Sequence, residues 1–505
     1  MDEKTLRIYF TSDVHSFFYP TDYHSEGEKN IGLFKCANRF HKDGNTLVID
    51  GGDILQGSPL GTFCHDSVGD SAKIAEIMNC CGYDYVTLGN HDFNYGTEYL
   101  DRYLNALNAR CLCQNAENRQ GGSKYPYCIH TLENGLRIGL VGIVTDYVNV
   151  WERPSHLAGL KITDPLSAAK TALEEMRDKC DLTVGIYHGG FEKDLETGAV
   201  LSTSTENVAY RICEELDFDI LLTGHQHMSV KGRKLFNTFI VQPTDSGREF
   251  ICLDVKLIDG EKQISSTTYP AEGECDKALL DKFSELNQGA EKWLDVEVGH
   301  LSRELMPGDN LEMAYKGSGL AKFFNMVQLS ASGADISAAS LANEVAGLPQ
   351  TVHRRDVLTA YPYPNTLAVL KISGEQLREV VERSAEYFAL DENGDPQISD
   401  AFLKPKVEHY NYDYYAGFDY TIDLTKPVGQ RVTELKYKGK DIKADDSFKI
   451  CVNNYRACGA GGYPQYNQCE LLKEINTEIS DLILNYFKDN PSVTVEPQDN
   501  MHITC

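Results

Sequence analysis

The sequence predicts an α/β fold divided into at least two domains. Short apolar runs alternate with helical patterns in the first half of the chain, which is typical of a sheet with helices on its faces. A different pattern, with a capped helix and a tyrosine-rich segment, occupies the last 200 or so residues. The chain has 505 residues, and one domain commonly holds about 100–200 residues, so several separate cores are expected.

The strands of the first domain are predicted from apolar runs of strand length that end at polar or glycine-bearing segments. Between two of these runs, Ile74, Ile77, Met78 and Cys81 recur at helical spacing before Gly82, which predicts a helix with a glycine end. The predicted strands cover residues 6–10, 46–49, 85–88, 136–144, 182–187, 220–222, 239–241 and 250–257.

The domain boundaries follow from where these patterns stop. Residues 1–260 are predicted to form the first domain, 261–295 a linker helix and 296–505 a second domain. The linker assignment depends on apolar positions in 274–294, among them Leu279, Phe283 and Trp293. In the second domain, Ser373 and Gln376 have the spacing of a capping box and predict a helix start.

Charge and cysteine usage exclude several classes of function. A formal net charge of −27 disfavours long polyanions, so no nucleic acid polymer is expected as a partner, although a small anion remains possible beside a local cation. The 15 cysteines include no C-x-x-C pair, which disfavours a zinc ribbon and favours reduced thiols. No leader pattern and no apolar run of membrane length is seen, so the expected location is the cytoplasm, or outside the cell if a leader had been removed. No membrane partner is expected.

Five polar motifs follow predicted strands, where ligands bind in open α/β sheets. Each motif alone is weak, but their order and their placement at strand ends make a chance origin improbable. The motifs are Ser12-Asp13-Val14-His15, Gly51-Gly52-Asp53, Gly89-Asn90-His91-Asp92, Tyr187-His188-Gly189-Gly190 and Gly224-His225-Gln226-His227.

The side chains in these motifs predict a site for two metal ions. Oxygen and nitrogen donors without cysteine suit Mn, Fe, Co or Zn, and a pair of such ions clamps the attacking and leaving oxygens of a phosphoryl displacement. Asp53 suits the bridging position, since one carboxylate can hold two ions. The other candidate ligands are Asp13, His15 and His227 for one ion, and Asn90, His188 and His225 for the other.

These motifs resemble those of the calcineurin-like metallophosphoesterases, and the two-domain layout resembles the 5′-nucleotidase / 2′,3′-cyclic-nucleotide phosphodiesterase family among them. The resemblance implies a four-layer β-sandwich flanked by helices, followed by a C-terminal α+β nucleotide-binding domain. It also implies that a hydroxide bridging two divalent metal ions attacks phosphorus while His91 stabilises or protonates the departing oxygen. The ligand assignment above matches the family pattern residue by residue.

One residue departs from the 5′-nucleotidase branch. In that branch the histidine matching His91 is paired with an aspartate three residues later, whereas this sequence has Asn94. An amide can orient the imidazole but supplies no negative charge. The string containing Asn94 is more similar to the cyclic-nucleotide branch, and Asp92 is an alternative partner whose position aims it elsewhere.

The second domain contains candidate substrate-binding residues. Residues 408–420 hold five tyrosines, of which Tyr410, Tyr412 and Tyr414 would share one face of a strand; an ordinary tyrosine-faced strand and an aromatic platform for a base are equally compatible with this pattern. The resemblance implies base stacking at Tyr412 and Tyr463. Asn454 and Arg456 lie in a segment that is similar to the cyclic-nucleotide branch, and they are the other two candidate substrate-binding residues. Residues 333–337, where the 5′ branch carries an arginine clamp, contain no arginine.

The preferred interpretation is a metal-dependent phosphoric ester hydrolase that acts as a 2′,3′-cyclic-nucleotide 2′-phosphodiesterase and 3′-nucleotidase. A 5′-nucleotidase or broad phosphomonoesterase is the alternative within the same family. A nucleotide-binding protein without turnover is the alternative of another class. The sequence leaves metal identity, base preference and oligomeric state open.

Overall fold

The computed structural model describes residues 3–505 except 26, 119, 202, 203, 364, 405 and 476. The chain forms two compact units, which meet in sequence between Glu291 and Lys292. This division falls within helix Ser284–Leu294. Each unit is described by itself below.

The first sheet of unit 1 has strand Glu3–Thr11 near its centre. That strand pairs in parallel with Thr46–Asp50 and antiparallel with Glu249–Ile258. In spatial order the six strands are Glu261–Pro270, Glu249–Ile258, Glu3–Thr11, Thr46–Asp50, Tyr85–Val86 and Arg110–Cys111. Residues 261–270 were predicted to begin the linker helix; they are instead an edge strand, whose polar sequence suits a largely solvated position.

The second sheet of unit 1 is built around Leu182–His188, which pairs in parallel with Arg137–Val144 and Ile220–Thr223. Its continuous apolar strands are typical of a sheet covered on both faces. In spatial order the six strands are Val230–Leu235, Thr238–Gln242, Ile220–Thr223, Leu182–His188, Arg137–Val144 and Cys128–Thr131.

The two sheets share one core. Ile8 and Phe10 of the first sheet pack in the same buried cluster as Leu140 and Ile186 of the second. Helix Pro165–Met176 covers the other face of the second sheet through residues such as Leu173. This sheet-on-sheet arrangement with flanking helices confirms the predicted α/β class.

Helices and a small third sheet complete unit 1. The helix predicted from Ile74 to Cys81 is confirmed and ends at Gly82, whose φ of 80° is left-handed. The predicted helix within 274–294 is interrupted at Phe283. The helices are Leu33–Ala37, Pro59–Phe63, Ala72–Cys81, Gly96–Ala106, Val148–Trp151, Pro165–Met176, Ala209–Glu215, Lys277–Lys282 and Ser284–Leu294, with a π-helix at Cys64–Val68 and 3-10 turns at Asn90–Phe93 and Arg177–Lys179; the third sheet has strands Ser123–Tyr125, Cys113–Asn118 and Leu160–Ile162.

The described residues of unit 2 form four sheets and several helices, an α+β arrangement. Its largest sheet has, in spatial order, the strands Asp413–Ala416, Ile336–Ser340, Ser447–Asn453, Leu367–Ser373 and Glu470–Ile475. A four-stranded sheet follows the order Lys440–Asp441, Val432–Tyr437, Asp419–Asp423 and Met501–Thr504. The smaller sheets are Thr351–His353, Glu297–Leu301 and Ser492–Val493, and Phe388–Leu390 with Pro396–Ile398.

The helices of unit 2 include the one predicted from its capping box. Ser373 Oγ accepts a hydrogen bond from Gln376 N at 3.1 Å, and Gln376 Oε1 accepts one from Ser373 N at 3.0 Å, which confirms that prediction. The helices are Asn310–Lys316, Gly319–Ser332, Arg354–Ala360, Gly374–Ala385, Asn454–Ala457, Pro464–Asn467 and Ile479–Asp489, with 3-10 turns at Asp400–Phe402, His409–Asn411 and Ala460–Gly462. In the described parts of both units, no helix has the length and apolarity needed to cross a bilayer.

Candidate metal centre

The five motifs come together because each follows a strand of one of the two facing sheets. Asp13 lies two residues after the strand Glu3–Thr11, and Asp53 lies three residues after Thr46–Asp50. His188 is the last residue of its strand, and His225 lies two residues after Ile220–Thr223. The carboxyl ends of parallel strands therefore deliver these side chains to one region.

The backbone of this region adopts an unusual conformation. Asp13, His15, Asp53, His225 and His227 all have left-handed φ, between 52° and 72°. A non-glycine residue in this conformation costs about 1–3 kcal/mol. Only eleven such residues occur in the described chain, so five at one site indicate that function, rather than local stability, selects the conformation.

Two carboxylates and three imidazoles form the centre of the site. His188 Nε2 lies 3.1 Å from Asp53 Oδ2 and 3.9 Å from Asp13 Oδ1. His227 Nε2 lies 3.4 Å from Asp13 Oδ1, and His15 Nε2 lies 4.0 Å from Asp53 Oδ2. Two potential ligand groups result, Asp13 with His15 and His227, and Asp13 with Asp53 and His188. Both groups contain Asp13, and Asp53 also faces histidines of both.

The hydrogen bonds of the histidines show that the donor atoms suit cations. His188 Nδ1 donates to Gly51 O at 2.7 Å, and His15 Nδ1 donates to Gln56 O at 2.8 Å, because a carbonyl can only accept. In the neutral rings these bonds leave an Nε2 lone pair aimed into the site. His188 Nε2 is buried and faces Asp53 Oδ2 at 3.1 Å, so both atoms of this pair point into the site as ligand atoms would.

Asn90 and His225 extend this cluster. His225 Nδ1 lies 2.9 Å from Asn90 Oδ1, and the backbone N–H of His225 donates to Asp13 Oδ1 at 3.0 Å. The other ring nitrogen of His225 lies 3.0 Å from Glu206 Oε1. The structure thus places all seven predicted ligands in one cluster. Glu206 also contacts this cluster, although it belongs to none of the five motifs.

The pKa values of this cluster reflect burial opposed by charge pairing. Burial alone would raise the pKa of Asp13 and Asp53, but His188 and the neighbouring histidines lower the pKa of both carboxyls below the ordinary value. Burial would lower the pKa of His188, yet Asp53 and Asp13 raise it to about 10. For His15 burial prevails and lowers the pKa to about 4. Without metal, the protein therefore keeps both carboxylates ionised beside its histidines.

Asp92 holds the two loops that carry Asp53 and Asn90. Its Oδ1 accepts from the backbone N–H of Ile54 at 2.9 Å and of Leu55 at 3.0 Å. Its Oδ2 accepts from the N–H of Asp53 at 3.0 Å and of Gly89 at 2.8 Å. Asp92 is thus aimed away from His91, as the sequence indicated, and acts as a structural anchor.

His91 lies at the edge of the same cluster, next to Asp53 and Asn94. Its backbone N–H donates to Asp53 Oδ1 at 2.7 Å, and its Nδ1 lies 2.8 Å from Asn94 Oδ1. The His91 and His15 rings have centroids 5.3 Å apart. Asn94 therefore orients the imidazole, as the sequence predicted for an amide at this position.

The predicted tyrosine platform is contradicted by the structure. Residues His409–Asn411 form a 3-10 turn and the strand begins only at Asp413, so the expected alternation of tyrosines along one strand is absent. Tyr412 is 2% exposed and donates to Ala314 O at 3.0 Å. Tyr463 is 0% exposed, with the Arg456 guanidinium 4.4 Å from its ring centre. Both are core residues here, with no ring face open to a base.

Arg456 serves the core of unit 2 rather than an open site, whereas Asn454 is half-buried and its predicted role stays a prediction. The Asn454 side-chain oxygen accepts from Thr366 N at 3.0 Å. Arg456 is 1% exposed, and its Nε donates to both oxygens of Asp413 at 3.0 and 3.1 Å. The predicted contact of Arg456 with substrate is therefore corrected, because its guanidinium is enclosed and engaged by a buried carboxylate.

Comparison with family models identifies both parts of the chain. Residues 6–229 match the model described as calcineurin-like phosphoesterase. Residues 297–468 match the model described as 5′-nucleotidase, C-terminal domain. The first match contains all seven candidate ligands.

Comparison with individual proteins finds similarity along almost the whole chain. The chain is 26% identical, over 99% of its length, to the trifunctional nucleotide phosphoesterase protein YfkN of Bacillus subtilis, but spans only 39% of that protein. It is 26% identical to the 2′,3′-cyclic-nucleotide 2′-phosphodiesterase/3′-nucleotidase of Haemophilus influenzae, over 96% of this chain and 84% of the relative. A Staphylococcus aureus crystal structure, provisionally described as a 5′-nucleotidase and solved in complex with α-ketoglutarate, is 32% identical with a TM-score of 0.92, covering 99% of this chain and 100% of that one.

Proposed function

The chain belongs to the 5′-nucleotidase family of calcineurin-like metallophosphoesterases, and from this premise we propose that it hydrolyses 2′,3′-cyclic nucleotides and nucleoside 3′-monophosphates. It is a hydrolase of phosphoric esters. The observation that carries the choice of substrate is the hydrogen bond between His91 and Asn94, a neutral residue where the 5′ branch has aspartate. Relatives named for the cyclic activity, at 26% identity, support the same choice.

Seven side chains would hold two divalent ions of the Mn, Zn, Fe or Co type. Such ions supply Lewis acidity and lower the pKa of bound water when present. The fit depends on the ionised carboxylates of Asp13 and Asp53 and on the inward Nε2 of His188. The complete set is Asp13, His15, Asp53, Asn90, His188, His225 and His227.

His91 is proposed to donate a proton to the departing oxygen. Its Nδ1 faces Asn94 Oδ1, so its Nε2 is the atom available to a substrate beside the cluster. For a 2′,3′-cyclic nucleotide, the oxygen of a water molecule bonds to phosphorus while the bond from phosphorus to O2′ breaks. The water releases one proton to solvent, and O2′ takes one from His91. The 3′-monophosphate formed is then cleaved at O3′ in the same way, which releases nucleoside and phosphate. Both steps need a donor on the leaving-group side.

The test is a comparison of substrates under one set of conditions. Purified full-length protein with added Mn²⁺ is assayed on 2′,3′-cyclic AMP, 3′-AMP, 5′-AMP and bis(p-nitrophenyl) phosphate, and products are separated by chromatography. The proposal expects turnover of the cyclic substrate with 3′-AMP as an intermediate. Rapid cleavage of 5′-AMP with an inert cyclic substrate would overturn it.

A 5′-nucleotidase activity is the second candidate. It is favoured by the 32% identity to the Staphylococcus aureus protein provisionally described in that way, which exceeds the identity to the relatives named for cyclic activity. The same panel separates the two, since this candidate expects 5′-AMP to have the highest kcat/KM. The contribution of the 5′-nucleotidase C-terminal domain, proposed to be nucleoside recognition, is tested by comparing 3′-AMP with 3-phosphoglycerol, which lacks a base.

A further inference from the structure

We propose that Glu152 is a positioning residue for His91 and acts through the side chain of Asn94. The inference deepens the proposed function and rests on the role given there to His91. Asn94 is neutral, so the sequence leaves His91 without an anionic partner. The structure places a carboxylate one side chain further away, in a segment that none of the five motifs includes.

The hydrogen bonds run in one direction from His91 to Glu152. Asn94 Nδ2 donates to Glu152 Oε1. Because a carboxylate accepts and an amide nitrogen donates, this contact fixes which end of the Asn94 amide faces His91. The amide oxygen, 2.8 Å from His91 Nδ1, must then accept, so Nδ1 carries a proton and Nε2 is presented to the substrate. Glu152 thereby sets the tautomer of His91 from a distance.

Glu152 is held firmly enough to do this. Its side chain is 7% exposed, and its second oxygen accepts from His156 Nδ1 at 2.8 Å. Its backbone N–H donates to Val148 O at 2.9 Å at the end of helix Val148–Trp151. The backbone oxygen of His156 accepts from Thr97 N at 3.1 Å, three residues beyond Asn94. Glu152 is therefore connected, through His156, to the same segment that carries Asn94.

The charge of Glu152 strengthens this arrangement. The Asn94 amide links the His91 ring to a carboxylate, and a hydrogen bond to a charged group is about twice as strong as a neutral one. The alternative is a purely structural carboxylate that ends the short helix through its contact with His156. The two roles differ in what a change of charge at constant shape does to catalysis.

The experiment removes the negative charge from position 152 in one variant and moves it to position 94 in another. Glu152→Gln keeps the shape but removes the anion, and Asn94→Asp/Glu152→Gln restores the anion next to His91 while allowing all three hydrogen bonds. Glu174→Gln, at an exposed position of helix Pro165–Met176, is the matched control. Each full-length, metal-loaded variant is assayed on 3′-AMP and on p-nitrophenyl phosphate, whose leaving group needs little protonation.

The expected pattern is a leaving-group-dependent loss that the double variant reverses. Glu152→Gln lowers kcat for 3′-AMP about tenfold with little change in KM, and lowers kcat for p-nitrophenyl phosphate less than about twofold. The double variant returns the 3′-AMP rate to within about threefold of the wild type. Equal losses on both substrates, or no recovery in the double variant, would overturn the inference.

A second measurement does not depend on turnover. In ¹⁵N-histidine-labelled, metal-free protein, long-range ¹H–¹⁵N spectra report the tautomer of each ring, and His91→Gln identifies the His91 signals. The inference expects His91 protonated on Nδ1 in the wild type and an altered Nδ1 signal in Glu152→Gln, with Glu174→Gln unchanged. An Nε2-protonated His91 in the wild type would overturn it. If this pattern holds while the protein cleaves no nucleotide, the proposed function fails and the positioning role stands.

Discussion

Replacing Arg456 with methionine tests whether this arginine stabilises the fold or binds substrate. The guanidinium and the Asp413 carboxylate are enclosed, with side chains 2% and 1% exposed. Besides its bonds to Asp413, Arg456 donates to Tyr410 O at 2.8 Å and to Asn411 Oδ1 at 3.1 Å. Methionine fills much of the volume but leaves Asp413 as a buried carboxylate without its cation.

The size of the effect follows from this burial. Breaking a buried ion pair from one side costs about 3–5 kcal/mol, since the remaining charge is uncompensated. Unit 2 contains about 210 residues, so an unfolding entropy of about 2.1 cal/mol/K per residue gives about 0.45 kcal/mol/K. The melting temperature of unit 2 should therefore fall by about 7–11 °C.

Differential scanning calorimetry of metal-loaded wild type and variant under the same conditions measures this change. The control is Arg456→Met/Asp413→Asn, which removes both charges and should recover at least half of the lost stability. If Arg456→Met shifted the melting temperature by less than about 2 °C but raised KM for nucleotide, the reasoning would be refuted and Arg456 would be a substrate-binding residue.

Three further predictions concern unit 1. Asp92→Asn should lower its stability by about 2–4 kcal/mol, since an amide cannot accept from all four backbone N–H groups; unchanged urea unfolding would contradict the anchor role. Asp53→Asn should abolish phosphate release and lower the bound metal, measured by elemental analysis, below two ions per chain, whereas the exposed control Asp178→Asn should retain both; an active Asp53→Asn would exclude the dimetal assignment. In chelator-treated protein, the pKa of His15 lies near 4, below its value of about 6.5 in an unfolded chain. The unfolded state thus takes up this proton first, and stability is lost as the pH falls from about 6.5 to 4. In His15→Asn the free energy of unfolding should fall less over this pH range. If its pH dependence were parallel to that of the wild type, the low pKa assigned to His15 would be contradicted.

Local pattern was enough to predict the strands at the centre of both large sheets of unit 1 and the helix that ends at Gly82. Each of the eight predicted strands has a counterpart, with ends that differ by up to three residues, because apolar runs of strand length are a property of neighbouring residues. The motifs were informative for the same reason. Asp13 and Asp53 lie two and three residues after neighbouring parallel strands of one sheet, whose carboxyl ends lie side by side. His225 follows a strand of the second sheet and reaches them through the packing of the two sheets.

The linker and the tyrosines show where local pattern failed. Residues 261–270 have no marked apolar periodicity, and only their pairing with Glu249–Ile258 makes them a strand. Tyr412 and Tyr463 have the residue type of a stacking platform, but a tyrosine can equally bury its ring and satisfy its hydroxyl on a distant carbonyl. Tyr412 does so with Ala314, nearly one hundred residues away.

The sequence by itself therefore determined the α/β class, the family and the seven candidate metal ligands, because these depend on short-range pattern and on residue chemistry at strand ends. Tertiary structure alone decided which polar residues support the site and which support the core. Glu152 and Glu206 carry no motif, and Arg456 resembles a substrate-binding residue until Asp413 is seen beside it. The physical reason is that burial and charge pairing are set by partners remote in sequence, and the free energy of a buried charge depends almost entirely on those partners.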